Sequence, residues 1–246
     1  MTALGGPAPG GPARIGDVHL ENIVWDARDP DRLGRFWAAA LGAEPAGDDC
    51  HRLHLGDTWL DLCFQPVPDG PDDGRRLHLD VLGGASQAAR VDELLALGAT
   101  RADIGQGEVP WVVLADPEGN PFCVMDDRAE YRATGPIAAL PLDSADPDRD
   151  ARFWAALTGW VPAEGTPGIR TLRHPAGVGP LLELCPESAP HTTKNRLHLD
   201  VRRTSPGDDE LRALGAQPVD EAEGLPWRVY ADPSGNEFCV LDPSEG

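Results

Sequence analysis

The feature that most constrains this chain is an internal repeat with an offset of about 117 residues. Matching segments recur in the same order, which predicts two copies of one folding unit. The matching pairs are Asp29–Pro30 with Asp146–Pro147, Phe36–Trp37 with Phe153–Trp154, Arg76–Val81 with Arg196–Val201, Asp116–Asn120 with Asp232–Asn236, and Phe122–Val124 with Phe238–Val240. Residues 134–136, Thr-Gly-Pro, break the chain between the copies. We predict domains at 17–130 and 136–243, after a disordered Gly/Pro tail at 1–16.

Each copy shows the same order of elements twice: a strand, a helix and three strands. Asp29 fits a helix N-cap, Pro30 the first helical position, and Gly42 the C-cap. The predicted elements of the first copy are strands at Leu20–Ala27, Arg52–Leu55, Thr58–Gln65, Leu77–Val81, Trp111–Ala115 and Phe122–Met125, with helices over about Pro30–Leu41 and Ser86–Leu97. The whole chain is therefore predicted to be α+β, with four βαβββ modules.

The charge and the cysteines limit the partners and the compartment. A formal charge of −20 disfavours nucleic acid, and it is typical of either a solvated acidic surface or a cup that attracts cations. The five cysteines are odd in number and form no Cys-x-x-Cys, which predicts reduced thiols. No apolar run is long enough for a membrane span, and the start does not resemble a secretory signal. We therefore expect a cytoplasmic protein, monomeric or homodimeric, with no nucleic-acid or membrane partner.

The Asp-Pro, Phe-Trp and Leu-Gly segments after a first strand, with a late Asp-Pro-x-Gly-Asn hairpin, resemble the vicinal oxygen chelate superfamily. This superfamily includes glyoxalases, extradiol dioxygenases, and bleomycin- and fosfomycin-resistance proteins. The Arg-Leu-His-Leu-Asp strand and the Phe-Cys-Val ending resemble its glyoxalase-like domain branch, and the resemblance covers roughly 17–243. It implies paired modules, each of which curves a sheet into half of an open cup for a ligand or a metal ion.

The resemblance also implies four metal-ligand positions in each copy. They fall on Asn22 and Ala139, on Asp61 and Glu183, on Arg76 and Arg196, and on Cys123 and Cys239. A guanidinium cannot lose its proton in a protein and repels a cation. The remaining carboxylate and thiol are too few for a catalytic metal site, so we predict no metal and no cofactor.

Strand alternation assigns several polar side chains to the cup. These are Asn22, Trp59, Asp61 and Cys63, the set Arg76, His78 and Asp80, and its repeat Arg196, His198 and Asp200. The two sets could form an anion clamp with a general base, or a charge-assisted network that ties strands together. Trp59 is the preferred stacking platform, because its repeat position holds Pro180. Cys123 and Cys239 are interpreted as buried thiols, although Arg76 could activate a nucleophile.

The leading hypothesis is metal-independent binding of a small organic molecule, aromatic or antibiotic-like, in the cup. Sequestration or resistance is the role that the resemblance implies. The alternative is a metal-free lyase, isomerase or cyclase that uses His78 or His198 with a carboxylate. A third is a metal-dependent protein with displaced ligands such as His78 and Asp61. The predicted site residues are His78 and His198 as catalytic groups, and Asn22, Trp59, Asp61, Arg76, Cys123, Glu183, Arg196 and Cys239 as ligand-binding groups.

Overall fold

The computed structural model describes residues 18–47, 49–67, 75–203, 208–219, 225 and 227–243. The tail predicted at 1–16 lies outside them. Four modules follow one another, each with the predicted order of one strand, one helix and three strands. The first comprises β1 (Val18–Ala27), α1 (Pro30–Leu41), β2 (Glu44–Pro45), β3 (Cys50–Leu55) and β4 (Thr58–Pro66). The second comprises β5 (Asp80–Leu82), α2 (Gln87–Leu97), β6 (Thr100–Arg101), β7 (Val112–Ala115) and β8 (Pro121–Met125).

A single 3-10 turn, Ala129–Tyr131, connects the two copies. The third module comprises β9 (Ile137–Ser144), α3 (Pro147–Thr158), β10 (Val161–Ala163), β11 (Arg170–Arg173) and β12 (Leu181–Pro186). The fourth comprises β13 (Leu197–Arg203), α4 (Asp208–Leu214), β14 (Gln217–Pro218), β15 (Trp227–Ala231) and β16 (Glu237–Leu241). None of the described helices is long and apolar enough to cross a membrane.

The repeated motifs fix the ends of the helices and the late hairpins. The Asp29 carboxylate accepts a hydrogen bond from the Arg32 amide at 3.0 Å, and α1 ends at Gly42 with φ of 71°. The Asp116 carboxylate accepts hydrogen bonds from the Glu118 and Asn120 amides and from the Trp37 indole of α1. The second copy repeats the hairpin and indole contacts at Asp232 and Trp154. The Asp-Pro-x-Gly-Asn segment is therefore a structural turn that anchors a helix.

Each of the two sheets combines one module from each copy. Sheet A has the order β14-β15-β16-β13-β1-β4-β3-β2, with β1 antiparallel to β13 at its centre. Sheet B has the order β10-β11-β12-β9-β5-β8-β7-β6, with β5 antiparallel to β9. The α+β class and the four βαβββ modules are confirmed. Asp61 lies in sheet A, and His78 lies beside β9 in sheet B. Because the two residues belong to different sheets, they cannot form the displaced metal site considered above.

The strand predicted at Leu77–Val81 is continuous only from Asp80. Its neighbour β9 contains Pro141. The Pro141 carbonyl accepts a hydrogen bond from the His78 amide at 3.2 Å, but proline has no amide hydrogen and cannot donate one to His78. At the equivalent place in sheet A, Val24 pairs with His198, and β13 runs unbroken from Leu197. A single proline on the partner strand explains the difference.

One apolar cluster joins both sheets and all four helices. On β4, Leu60, Leu62 and Phe64 belong to it, as the alternation predicts. The opposite faces of the sheets carry the polar positions of the repeat. We call these faces cup A, on sheet A, and cup B, on sheet B.

The prediction that all five cysteines are reduced is wrong for two of them. Cys50 on β3 and Cys63 on β4 are cross-strand neighbours and form a disulfide. Cys123, Cys185 and Cys239 are free of disulfides. The spacing signal failed because the two partners lie 13 residues apart on neighbouring strands and form no Cys-x-x-Cys.

Candidate functional site

Strand register places one row of side chains across each cup. In cup A the row runs across β15, β16, β13, β1 and β4, and its members are Val229, Cys239, Asp200, Asn22 and Asp61. In cup B the row runs across β7, β8, β5, β9 and β12, and its members are Val113, Cys123, Asp80, Ala139 and Leu181. Val, Cys and Asp are common to both rows. The other two positions are polar in cup A and apolar in cup B.

Cup A contains a cavity of about 560 Å³. Its apolar wall includes Val24, Trp227, Val229 and Leu241, and the Cys50–Cys63 disulfide lies on the same wall. Its polar groups come mainly from β1 and β13. They are Asn22, Asp26, Gln65, Lys194, His198, Asp200 and Glu237.

His198, Asp200 and Cys239 form a compact cluster in this cavity. Asp200 accepts hydrogen bonds from the Asn22 amide nitrogen, at 3.1 Å, and from Cys239. The His198 Nε2 lies 3.5 Å from the other carboxylate oxygen of Asp200. Burial lowers the pKa of His198 and raises the pKa of Asp200. Both shifts favour neutral forms, so His198 is a neutral imidazole at neutral pH.

Cup B is filled by its own side chains. Tyr131, from the 3-10 turn between the copies, is only 4% exposed and packs in a separate apolar cluster on this face. The cluster also includes Val113, Met125, Ala138, Ala139 and Leu181. The Arg128 guanidinium lies over the rings of both Tyr131 and Trp111. Small residues on β9 thus leave room that Tyr131 occupies, whereas Asn22 faces an open cavity in cup A.

The ionisable groups of cup B differ from their counterparts. The His78 Nε2 lies 3.4 Å from Asp80. Burial opposes protonation of His78, but the hydrogen bond to Asp80 and the charge of Asp80 outweigh it and raise the pKa. Burial, followed by the negative charge of Asp80, raises the pKa of Glu183 to about 7. Burial beside Asp80 also raises the pKa of the Cys123 thiol, so this cysteine is not an activated nucleophile.

Of the two alternatives, the anion clamp is not formed, because both arginines bind elsewhere. Arg76 donates to the Asn236 side chain at 3.0 Å and to the Ala189 carbonyl at 3.0 Å. Arg196 donates to Glu118 at 2.9 Å and to the Asp26 carbonyl at 3.2 Å. Neither arginine lines the cavity of cup A. Each guanidinium instead ties one copy of the repeat to the hairpin turn of the other.

Trp59 and Asp61 lie on the same face of β4 as Cys63, as predicted, but not against the large cavity. Arg52 forms a two-pronged ion pair with Asp61, at 2.8 and 2.7 Å, and its guanidinium lies over the Trp59 ring. Trp59 is 47% exposed and lines a smaller cavity of about 180 Å³ with His19, among others.

The metal positions implied by the resemblance do not form a donor set. In cup A the Asn22 amide donates a hydrogen bond to Asp200, Asp61 is held by Arg52, and Arg196 is a cation. The three donors His198, Asp200 and Cys239 do lie within 4.8 Å of one another, as do His78, Asp80 and Cys123 in cup B. In both clusters the cysteine is hydrogen-bonded to the carboxylate, and we derive no chemistry through a metal ion.

The sequence analysis missed two residues that shape the cups. Trp227 lines the cavity of cup A, and Tyr131 closes cup B. Trp227 has a repeat partner in Trp111, so the sequence did not distinguish it as a position that differs between the copies. Tyr131 lies in the segment that was interpreted as the linker between the copies. A large aromatic side chain in a linker was the sequence feature that could have indicated its packing role.

The model of the family described as "Glyoxalase-like domain" matches the chain twice, over residues 22–125 and 139–241. Glyoxalase I from Zea mays has a similar fold, with a TM-score of 0.63 and 15% identity over 92% of each chain. A candidate dioxygenase from Bacillus subtilis has a TM-score of 0.56 and 15% identity, over 95% of this chain and 87% of that one. At such identities these structures show the fold alone. No curated protein matches the chain by sequence.

Proposed function

The chain belongs to the glyoxalase-like domain family, and from this premise we propose that it binds a small organic molecule in the cavity of cup A without a metal ion. One observation carries the proposal: a mostly apolar cavity of about 560 Å³ that also contains a few buried polar groups. Pockets for small molecules usually measure roughly 300–1,000 Å³ and combine apolar walls with a small number of orienting polar groups.

The proposed ligand is aromatic or antibiotic-like, and the proposed role is sequestration. Trp227 offers an indole face in the wall of the cavity, where a flat ligand can stack. We therefore assign to Trp227 the stacking role that the sequence favoured for Trp59. Cup B has no comparable role in the proposal, because Tyr131 occupies it.

A second candidate is a metal-free lyase, isomerase or cyclase that uses His198. The supporting observation is a neutral imidazole 3.5 Å from Asp200 inside the cavity. A neutral imidazole can accept a proton from a bound substrate, and the neighbouring carboxylate would stabilise the resulting cation. His78 is not proposed for this role, because its cup is filled.

The first experiment identifies the ligand and locates its site. Native mass spectrometry of the purified protein is expected to detect a co-purified small molecule, and a compound library provides probes that raise the melting temperature. Trp227→Ala should weaken binding several-fold to tenfold, since one stacking contact contributes ~0.5–1.5 kcal/mol beyond buried area. Trp59→Ala is the matched control and should leave the affinity unchanged. Loss of binding in Trp59→Ala alone would place the ligand in the smaller cavity instead.

Turnover separates the two candidate functions. If His198 is a general base, His198→Ala should lower turnover by ~10²–10⁴-fold while the substrate still binds. His78→Ala is the internal control in the filled cup and should retain turnover. Binding without product formation, for any compound that raises the melting temperature, supports sequestration.

A further inference from the structure

The carboxylates of the cup A cavity are unequal in their partners. Asp26 pairs with the Lys194 ammonium. Glu237 lies 3.1 Å from the His191 imidazole and accepts from the Asn195 amide. Asp200 has no lysine or arginine partner among the described residues, and its only ion-pair neighbour is His198. Of the three carboxylates that line this cavity, only Asp26 has a lysine partner, whereas Glu237 and Asp200 each lie beside a histidine.

Asp200 is also incompletely hydrogen-bonded. Its side chain lines the cavity although the residue is only 7% exposed, and its Oδ1 has no hydrogen-bond partner. Its Oδ2 accepts from Asn22, and the carboxyl group also accepts from the Cys239 thiol. A buried acceptor without a partner is destabilising, and more so when it is charged. The buried Oδ1 of Asp200, a residue that lines the cavity, thus lacks a hydrogen-bond donor.

His198 cannot supply the missing charge. The residue is 9% exposed, and burial lowers the pKa of its imidazole, so the ring is neutral at neutral pH. Its Nδ1 also has no hydrogen-bond partner. The pair therefore presents a carboxyl group without a lysine or arginine partner and a neutral ring to the same cavity. Burial alone favours the neutral acid of Asp200, and a cationic ligand would favour its carboxylate.

Resting on the function proposed above, we propose that the ligand is an apolar molecule with one protonated nitrogen, and that Asp200 binds this nitrogen. The apolar wall of the cavity favours the hydrocarbon part of the ligand, and the unpartnered Oδ1 of Asp200 favours a positively charged hydrogen-bond donor. An anionic ligand would meet Asp26, Asp200 and Glu237 in a chain of net charge −20. The only lysine or arginine among the described residues that line the cavity, Lys194, is paired with Asp26.

The test compares three probes with one carbon skeleton: 2-(1-naphthyl)ethylamine, 2-(1-naphthyl)ethanol and 1-naphthylacetate. Their dissociation constants at neutral pH are measured by calorimetry on the full chain. The amine should bind at least tenfold more tightly than the alcohol, and the carboxylate more weakly than both. In Asp200→Asn the advantage of the amine over the alcohol should disappear, while the alcohol binds as before. In Asp80→Asn, the equivalent change in the filled cup, the advantage should remain.

A second variant leaves Asp200 in place, in case Asp200→Asn does not fold. Val229 lines the cavity two strands away and is only half-buried, so Val229→Lys brings an ammonium group into the wall. This change should weaken binding of the amine at least fivefold and affect the alcohol less. Val229→Met is the uncharged control and should keep the preference for the amine.

The outcomes separate the ligand class from the site. If the alcohol or the carboxylate binds as tightly as the amine, the cationic ligand is wrong but the binding cavity stands. If none of the three binds, this inference and the proposed function both fail. If one equivalent of Zn²⁺ displaces the amine, and Asp200→Asn and Cys239→Ser each abolish zinc binding, the cluster is a metal site and the inference is overturned.

Discussion

Residues that are identical in the two copies have different environments. His78 and His198 each lie beside an aspartate two positions further along the strand, yet the pKa of His78 is raised and the pKa of His198 is lowered. Burial lowers the pKa at both, but the hydrogen bond to Asp80 and the charge of Asp80 outweigh it at His78, whereas no such hydrogen bond acts at His198 and Lys194 lowers its pKa further. Repetition of a motif therefore does not imply repetition of its protonation state.

Glu183 allows a test of these environments through the pH dependence of stability. Its pKa rises from the usual 4.5 to about 7, first because of burial and then because of Asp80. The neutral acid is thus favoured in the folded protein. The contribution of Glu183 to the free energy of unfolding is fully present below pH 4.5 and is lost as the pH rises through 7. A shift of this size corresponds to about 3 kcal/mol of unfolding free energy.

The melting temperature of Glu183→Gln should therefore exceed that of the unmodified chain by a growing margin as the pH is raised from about 5 to about 8. Differential scanning calorimetry at matched ionic strength measures the difference. Glu164→Gln, at an exposed position of the same copy, is the control and should show no such trend. A constant difference across this pH range would mean that Glu183 is not desolvated in cup B.

The metal content is a second prediction at the scale of residues. We expect no stoichiometric zinc, nickel, iron or manganese in protein purified without chelators. The reasons are the cationic Arg196 at one family position, the Arg52–Asp61 ion pair at another, and the hydrogen-bonded thiols of both clusters. Elemental analysis measures the content. About one tightly held ion per domain, removed by a chelator, would contradict the prediction.

The sequence predicted which side chains face away from the helices, but not which of them share a site. Alternation along a strand is a local property, and it placed Trp59 and Asp61 on the correct face of β4. The partner that decides the roles of both is Arg52, on the adjacent strand, and the partner that holds Arg196 away from the cavity is Glu118, in the other copy. A single sequence does not specify such pairings, so the anion clamp and the network that ties strands together remained alternatives until the partners of the arginines were known.

At the scale of elements, the 3-10 turn between the copies determines which cup is open. Its Tyr131 belongs to the same apolar cluster as Ala138 and Ala139 at the start of β9, and these small side chains leave space for its ring. Helix ends were predictable because caps are local, as at Asp29 and Gly42. The turn was not, because its conformation depends on a tertiary pocket.

Tyr131→Ala should remove this plug and destabilise the protein. Deletion of a buried aromatic ring typically costs ~3–5 kcal/mol, which includes the cavity left behind. Tyr131→Phe keeps the ring and should cost less than about 1 kcal/mol. Denaturant titration of both variants measures the difference. If Tyr131→Ala is as stable as Tyr131→Phe, the ring is not part of the packing in cup B.

At the scale of the whole molecule, each sheet depends on both copies of the repeat. The ladders β1–β13 and β5–β9 are at the centres of the sheets, and each joins a strand of the first copy to a strand of the second. Polar contacts reinforce this pairing of modules from different copies, because Arg76 binds Asn236 and Arg196 binds Glu118. The repeat was evident in the sequence. Its partner modules were not, because four similar modules can pair in several ways.

The two copies, produced separately as residues 1–135 and 136–246, should not form stable monomers. Each would expose the unpaired backbone of two central strands and one side of the shared apolar cluster. When the two are mixed, they should form a 1:1 complex in which β1 again meets β13, and the cavity of cup A should again bind the probe that the full chain binds. Size-exclusion chromatography with light scattering measures the assembly, and calorimetry measures the binding. A separate copy that is monomeric and melts cooperatively would show that its two modules can form a sheet with each other, and the exchange between copies would then not be required for folding.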